Sequence, residues 1–379
     1  MALQIVTFLS RCLNTSFTEN DVSFAPHLPS QIFYGFQLKV TDIMFRFYFR
    51  HFIGTFPHLN LPKLYMGTII TVTFNPALDK STSVKELVAE RKLSCSAPVY
   101  EPGGGGINVA RAIRKLGGDA VAYYLAGGDA GNRINALLAD ELVETVVTKI
   151  SGFTRENLLV FDNSRYMQYL FDMPGPVIME KEYDALLKSI EDAQDIRFIV
   201  ASGSLPAGIP PDIFARLALI AKRKQARLVV DTSGEPLKHA LKNGVYLIKP
   251  NLKELAFLTG AGELTDEQVP AAAKAIIKQG GCEAVVVSQG ALGATLVTGT
   301  EVLKITPPQL DVKSTVGAGD SLVAGIIISL AGNQSLAEAV QYGVACGSAA
   351  TLNAGTELCR KADAERLFRV IKNEILVVS

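Results

Sequence analysis

Phe198-Ile199-Val200-Ala201, Leu228-Val229-Val230-Asp231, Tyr246-Leu247-Ile248 and Ala284-Val285-Val286-Val287 are four short apolar runs separated by helix-like segments. Strand candidates that alternate with helices in this way make a mostly parallel sheet covered by helices on both faces. Upstream the same rhythm begins near Met66. Ile69-Ile70-Thr71-Val72-Thr73-Phe74 is β-rich and stops at Asn75-Pro76. Four glycines, Gly103 to Gly106, precede a helix-like stretch from Ile107 to Leu116 that Gly117-Gly118 terminates. Ala120 to Ala126 then reads as a strand, and a helix runs through Asn135-Ala136-Leu137-Leu138.

Two regions break the alternation. Ser81 to Tyr100 and Asn157 to Asp172 read as strand pairs without intervening helices. They suit a small antiparallel sheet projecting from the main domain, serving as a lid over a site or as a dimer surface. The first 65 residues differ again: they hold ten of the eighteen phenylalanines and three of the four histidines, with no clear period. Met1 to Leu9 offers only a weak apolar stretch without the basic start of a secretory signal. Residues 1–65 are therefore expected to be a non-native or disordered extension, and residues 66–379 the functional domain.

Composition narrows the class. Lysine plus arginine equals aspartate plus glutamate at 37 each, so no basic surplus suggests nucleic-acid binding. The five cysteines are odd in number, widely spaced and without a Cys-x-x-Cys pair, which reads as idle thiols in a reducing compartment. No run approaches the roughly 20 apolar residues of a membrane span. The expectation is a cytoplasmic protein.

The common nucleotide motifs fail on spacing. No stretch has the Gly-x4-Gly-Lys-Ser/Thr of a Walker loop. The Gly-x-Gly-x-x-Gly dinucleotide fingerprint puts Asn108 at its last position when counted from Gly103, and Leu322 when counted from Gly317. A different phosphate device remains. Thr315-Val316-Gly317-Ala318-Gly319-Asp320-Ser321 runs directly into an apolar helix. Small residues there let backbone N–H groups converge on an anion at the helix start. Such amides stabilise a transferring phosphoryl group, and Asp320 beside them can take a hydroxyl proton. The plainer alternative is an acidic residue stabilising a helix N-terminus. Asn108 can bond sugar hydroxyls. Asp79, just past the first strand, either holds sugar hydroxyls or forms a turn.

Together these pieces resemble the PfkB, or ribokinase-like, carbohydrate kinases from Met66 to about residue 370. Gly-Gly-Gly-Gly-Ile-Asn-Val-Ala-Arg (Gly103 to Arg111) is similar to the family's first signature. Asp311 to Ala324 is similar to the second, and Asn251-Leu252-Lys253-Glu254 to its Asn-x-x-Glu motif. The resemblance implies a three-layer α/β/α domain with a small β-sheet lid, its strands within about 80–104 and 155–173, and a homodimer through that lid. It implies an anion hole at Gly317, Ala318 and Gly319, with Asp320 as catalytic base. ATP would meet Lys249, Asn251, Ser288, Gly290, Gly293 and Ser348. Magnesium would be held through water by Asn251 and Glu254, and a monovalent cation, K+, near Ser314, Val316, Asn353 and Gly355. Glu357 stands where close relatives carry a basic residue, which bears on the cation dependence.

Within the family, Asn75-Pro76-Ala77-Leu78-Asp79 resembles the phosphosugar branch. Gly105 stands where 1-phosphofructokinase-like sequences carry lysine, so the uninterrupted glycines resemble the bacterial ribokinase-like 6-phosphofructokinase. The resemblance implies ATP-dependent phosphorylation of fructose 6-phosphate, with Asp79, Lys92, Gly103, Gly104, Gly105, Asn108, Arg155 and Ser204 around the sugar phosphate. Lys92 and Arg155 are the cations expected at its existing phosphate. Tagatose-6-phosphate kinase, 1-phosphofructokinase and a catalytically silent sugar-phosphate sensor are the competing expectations.

Overall fold

β1 (Thr68–Thr73) passes through Asn75-Pro76 into β2 (Ala77–Val84), and β3 (Val99–Gly103) returns to the main body. There α1 (Gly105–Lys115), β4 (Val121–Ala126), α2 (Gly128–Asp140) and β5 (Glu144–Lys149) follow. A second excursion contains β6 (Arg155–Asp162) and β7 (Met167–Phe171). Next come α3 (Glu180–Asp192), β8 (Ile196–Ser202), α4 (Ile213–Arg223), β9 (Arg227–Asp231), α5 (Gly234–Ala240) and β10 (Val245–Ile248). They lead to α6 (Leu252–Thr259), α7 (Val269–Lys278), β11 (Cys282–Ser288), β12 (Ala294–Thr298) and β13 (Val302–Thr306). α8 (Ala318–Ala331), α9 (Leu336–Thr351), α10 (Lys361–Phe368) and β14 (Lys372–Ile375) finish the fold. The structure is a computed structural model that describes residues 68–353 and 355–375. The expectation for residues 1–65 lies outside that range.

The large sheet runs β14-β13-β12-β11-β10-β9-β8-β1-β4-β5. From β5 to β11 every neighbour is parallel, and β12 to β14 extend one edge in antiparallel fashion. Both faces are covered. Ile69, Phe198, Val200 and Leu247 point into a core shared with α1, α8 and α9. Ile70, Ile199, Ala201 and Ile248 point the other way, against α3 and α4. Strands buried on both faces have no polar side, which is why Phe198–Ala201 is apolar at every position. Strand ends then place side chains in the crevice at the carboxyl edge, where α/β sheets bind ligands: Thr73, Ser202, Asp231, Lys249 and Ser288.

The second sheet, β3-β2-β6-β7, is the expected lid, with one difference in pairing. β2 pairs antiparallel with β3, and β6 with β7, but β2 and β6 run parallel. The lid is mixed because β3, α1, β4, α2 and β5 intervene between β2 and β6, and a crossover of that length joins parallel strands. Residues 85–98 also form no strand apart from a bridge at Cys95. Among the described residues no helix is long and apolar enough to cross a membrane. Cys95 is exposed, while Cys282, Cys346 and Cys359 are buried, and all four are free thiols.

Candidate active site

α8 begins on Gly317, whose φ of 74° is left-handed and costly for a residue with a Cβ. The turn brings Ala318, Gly319 and Asp320 into the first helical turn, where N–H groups lack intrahelical partners. Asp320 Oδ2 accepts a 3.0 Å hydrogen bond from Asn108 Nδ2 on α1. Burial raises the Asp320 pKa to about 7; the Asp231 charge adds to this, and Asn108 and Lys249 oppose it. A carboxyl group poised near neutrality is what a general base at physiological pH requires.

Lys249 Nζ lies 3.1 Å from Asp231 Oδ1, with little of either side chain exposed. Its ammonium approaches Gly319, so it stands between the phosphate turn and the strand-end carboxylate. The charges of Asp231, Glu254 and Asp320 all act on this lysine. Gly105, Ser202, Gly203, Ser204, Asp231, Glu254 and Asp320 line one cavity of about 230 Å³.

The glycine cluster is tied to β1 by the Ile107 N–H, which donates to Thr73 Oγ1 at 2.8 Å. Gly105 admits no side chain: a Cβ there would stand 2.3 Å from Ser202 Oγ and 2.8 Å from Gly203 N. Asp79 on β2 packs against Gly103 and accepts a 2.9 Å hydrogen bond from Asn157 Nδ2. Burial raises its pKa to about 6, against that hydrogen bond and the Arg155 charge. Asn75 Nδ2 donates to Ser204 Oγ at 3.0 Å, and Arg155 Nη2 donates to the Asn75 carbonyl at 3.3 Å. Arg155 also pairs with Asp172, yet its buried Nε has no partner within the protein, nor has Asn75 Oδ1. A buried guanidinium N–H without an acceptor suits an incoming phosphate. Lys92 stands apart. It is exposed on the segment between β2 and β3, and within one copy no hydrogen bond or ion pair joins it to Asp79, Arg155 or Ser204.

Asn251 and Glu254 bond each other. The Glu254 N–H donates to Asn251 Oδ1 and the Asn251 N–H to Glu254 Oε2, both at 2.9 Å, forming the capping box of α6. Burial and the Asp231 charge push the Glu254 carboxyl up. Three carboxylates thus share one lysine, a deficit of positive charge that fits a divalent cation retaining its waters. Ser288 bridges to Asn251, and the turn Gly290–Leu292 with Gly293 follows it. Ser348 lies on α9 beside Gly347, which packs on the Ala318 carbonyl.

The suggested cation loop also comes together. Ser314 Oγ lies 2.7 Å from the Gly355 carbonyl, the Val316 N–H donates to Ser314 Oγ, and Asn353 Nδ2 donates to the Leu358 carbonyl. Glu357 is turned to Arg360, which holds it through two nitrogens at 2.8 and 3.0 Å and lowers its pKa. The lid reaches this loop through Gln168, 3.2 Å from Ser314 Oγ.

Residues 73–363 match the model of the pfkB family carbohydrate kinases. The chain belongs to this family. It is 43% identical over 304 residues to the ATP-dependent 6-phosphofructokinase isozyme 2 of Escherichia coli K12, covering 80% of this chain and 98% of that protein. The crystal structure of phosphofructokinase-2 from Escherichia coli in complex with potassium superposes with a TM-score of 0.78 at 42% identity, covering 80% and 99% of the two chains. The same enzyme in complex with fructose-6-phosphate gives 0.76 at 41% identity, with the same coverage.

Several residues of this pfkB site escaped the sequence reading. Asp231 ends an apolar strand, a position that could have flagged it. Arg111 sits on the buried face of α1, where only its partners reveal its purpose. Asn157 and Gln168 bond Asp79 and Ser314, which are distant in sequence, and carry no local signal.

Proposed function

We propose that this pfkB kinase transfers the γ-phosphoryl group of ATP to the 1-hydroxyl of fructose 6-phosphate, giving fructose 1,6-bisphosphate and ADP. The observation that carries the reading is the Asp320 carboxyl, held by Asn108 at the start of α8 with a pKa near 7. Asp320 takes the hydroxyl proton as the sugar oxygen bonds to the γ-phosphorus. The bond from that phosphorus to the bridging oxygen breaks, and ADP leaves with the electron pair. The amides of the Gly317–Gly319 turn and Lys249 meet the charge on the phosphoryl oxygens. Asp79, Gly103, Gly104 and Ser204 orient the sugar, and Arg155 takes its 6-phosphate. Asn251 and Glu254 would hold magnesium through its waters, and the ion would supply charge neutralisation on the phosphates. Ser314, Val316, Asn353 and Gly355 would hold K+. ATP lies along Lys249, Asn251, Ser288, Gly290, Gly293 and Ser348.

The exposed apolar side chains of the lid, Val99, Tyr166, Met167, Leu170 and Phe171, support a homodimer in a cytoplasmic enzyme. Gly105, where 1-phosphofructokinase-like sequences carry lysine, has no room for a side chain beside Ser202, which favours fructose 6-phosphate over fructose 1-phosphate. The deciding assay measures ADP release with fructose 6-phosphate, fructose 1-phosphate and tagatose 6-phosphate side by side. Fastest turnover with the first is expected. Preference for another would reassign the acceptor, and no release with any would make the protein a sensor.

A further inference from the structure

Arg111 is a charged residue on the buried face of α1, only 2% exposed. Its Nε and Nη2 donate to Glu141 at 2.8 and 2.6 Å, and Nη2 also reaches Glu101 at 3.2 Å. Its Nη1 donates to the Pro102 carbonyl at 2.8 Å and lies 3.5 Å from Asn108 Oδ1. Burying a guanidinium costs several kcal/mol unless partners surround it, and an apolar residue would anchor the helix more simply. The two carboxylates leave it fixed in one orientation, with one nitrogen aimed at the Pro102 carbonyl and at Asn108.

Asn108 lies between this cation and Asp320. With Oδ1 toward Arg111 and Nδ2 toward Asp320, both ends of the amide meet opposite charge. The flipped amide would set donors against donors and an oxygen against a carboxylate. The distance of 3.5 Å is long for a hydrogen bond but short for a charge acting on an amide dipole.

We propose that Arg111 is a positioning residue for phosphoryl transfer: it fixes the Asn108 amide so that Nδ2 donates to the base, Asp320. The proposal rests on the reading of Asp320 as base. It asks nothing of Arg111 at the substrate itself. The other groups acting on Asp320 are Asp231 at the end of β9, Lys249 beyond β10 and Asp79 on β2, and Arg111 bonds none of them directly.

The test is a double-mutant comparison of Arg111→Lys, which keeps the charge and loses the fork, with Asn108→Ala. Carboxyl-carbon NMR of aspartate-labelled protein, with Asp320→Asn for assignment, follows the Asp320 titration without any substrate. Each single variant is expected to raise the Asp320 midpoint by about one pH unit, the worth of one hydrogen bond to a charged group. Arg111→Lys in the Asn108→Ala background is expected to add nothing. In turnover, Arg111→Lys lowers kcat about tenfold, the equivalent of one such bond, with the sugar KM little changed. An equal shift in both backgrounds, or none in either, overturns the proposal. Should the lysine variant not fold, Glu141→Gln on the half-buried partner loosens the same guanidinium and allows the same comparison. A protein inert toward all three sugar phosphates would sink the kinase reading, while the titration would still decide the role of Arg111.

Discussion

Lys249 and Asp231 meet at 3.1 Å in the floor of the cleft, and Asp320 feels both of them. One ammonium therefore serves two carboxylates, and the third, Glu254, lies within its field. This arrangement makes the pair dependent on its own completeness. Lys249→Met leaves a largely buried carboxylate unpaired and is expected to cost roughly 3–5 kcal/mol in denaturant unfolding. Adding Asp231→Asn to that variant should restore most of the loss. Equal instability of the single and double variants would show that the pair does not hold the floor together.

Asp320 must be ionised to accept a proton, so activity rises as pH passes upward through its pKa of about 7. Asp320→Asn is expected to lower kcat about 10²–10⁴-fold with fructose 6-phosphate binding largely retained. The acid limb near pH 7 should vanish from what activity remains. Near-normal turnover in this variant would remove Asp320 from the chemistry.

Stability follows the opposite course. A carboxyl whose folded pKa is raised from the ordinary value favours folding most at pH below its unfolded pKa. That contribution is lost as pH climbs from about 4 through 7. Asp320→Asn should therefore raise the melting temperature at pH 8 by a few degrees, and much less at pH 5. A pH-independent change would contradict the burial of the charge.

Gly105 packs against the end of β8 with no room for a Cβ. Gly105→Ala pushes a methyl into Ser202 Oγ and is expected to destabilise the protein by about 1–3 kcal/mol. Its kcat/KM for fructose 6-phosphate should fall at least tenfold, a loss read by parallel thermal melts and steady-state kinetics. A variant with unchanged kinetics would separate Gly105 from acceptor recognition.

Glu254 has two tasks that substitution separates. Glu254→Gln keeps an acceptor for the Asn251 N–H, so stability should change little. The magnesium concentration for half-maximal activity should rise about 10–100-fold. Glu254→Ala keeps the Asn251 cap but loses the reciprocal bond from the Asn251 N–H, at about 0.5–1.5 kcal/mol. If glutamine leaves the magnesium requirement unchanged, the motif is a helix cap and nothing more.

The parts legible in the sequence are those made by neighbours in the chain. The apolar strands, the Gly317–Asp320 helix start and the Asn251–Glu254 box are each local, and each appears in place. The Lys249–Asp231 and Arg111–Glu141 pairs join different elements, so no spacing announces them. Arg155 and Lys92 looked alike as lid cations. The fold separates them: Arg155 opens β6 at the cleft, while Lys92 lies on an exposed connection. The parallel pairing of β2 with β6 was equally hidden, because it depends on what the chain does between them.

That pairing has a mechanical consequence. Ala77 is hydrogen-bonded in register with Gly103 on one side and Arg155 on the other. The three residues form a transverse row at the root of the lid, two rows from Asp79. Under the proposed function, Gly103 at the sugar and Arg155 at its phosphate both sit on this row. Ladder pairing across β3, β2 and β6 ties Asp79, Gly103 and Arg155 into one unit, so any displacement of the lid would move these three residues together.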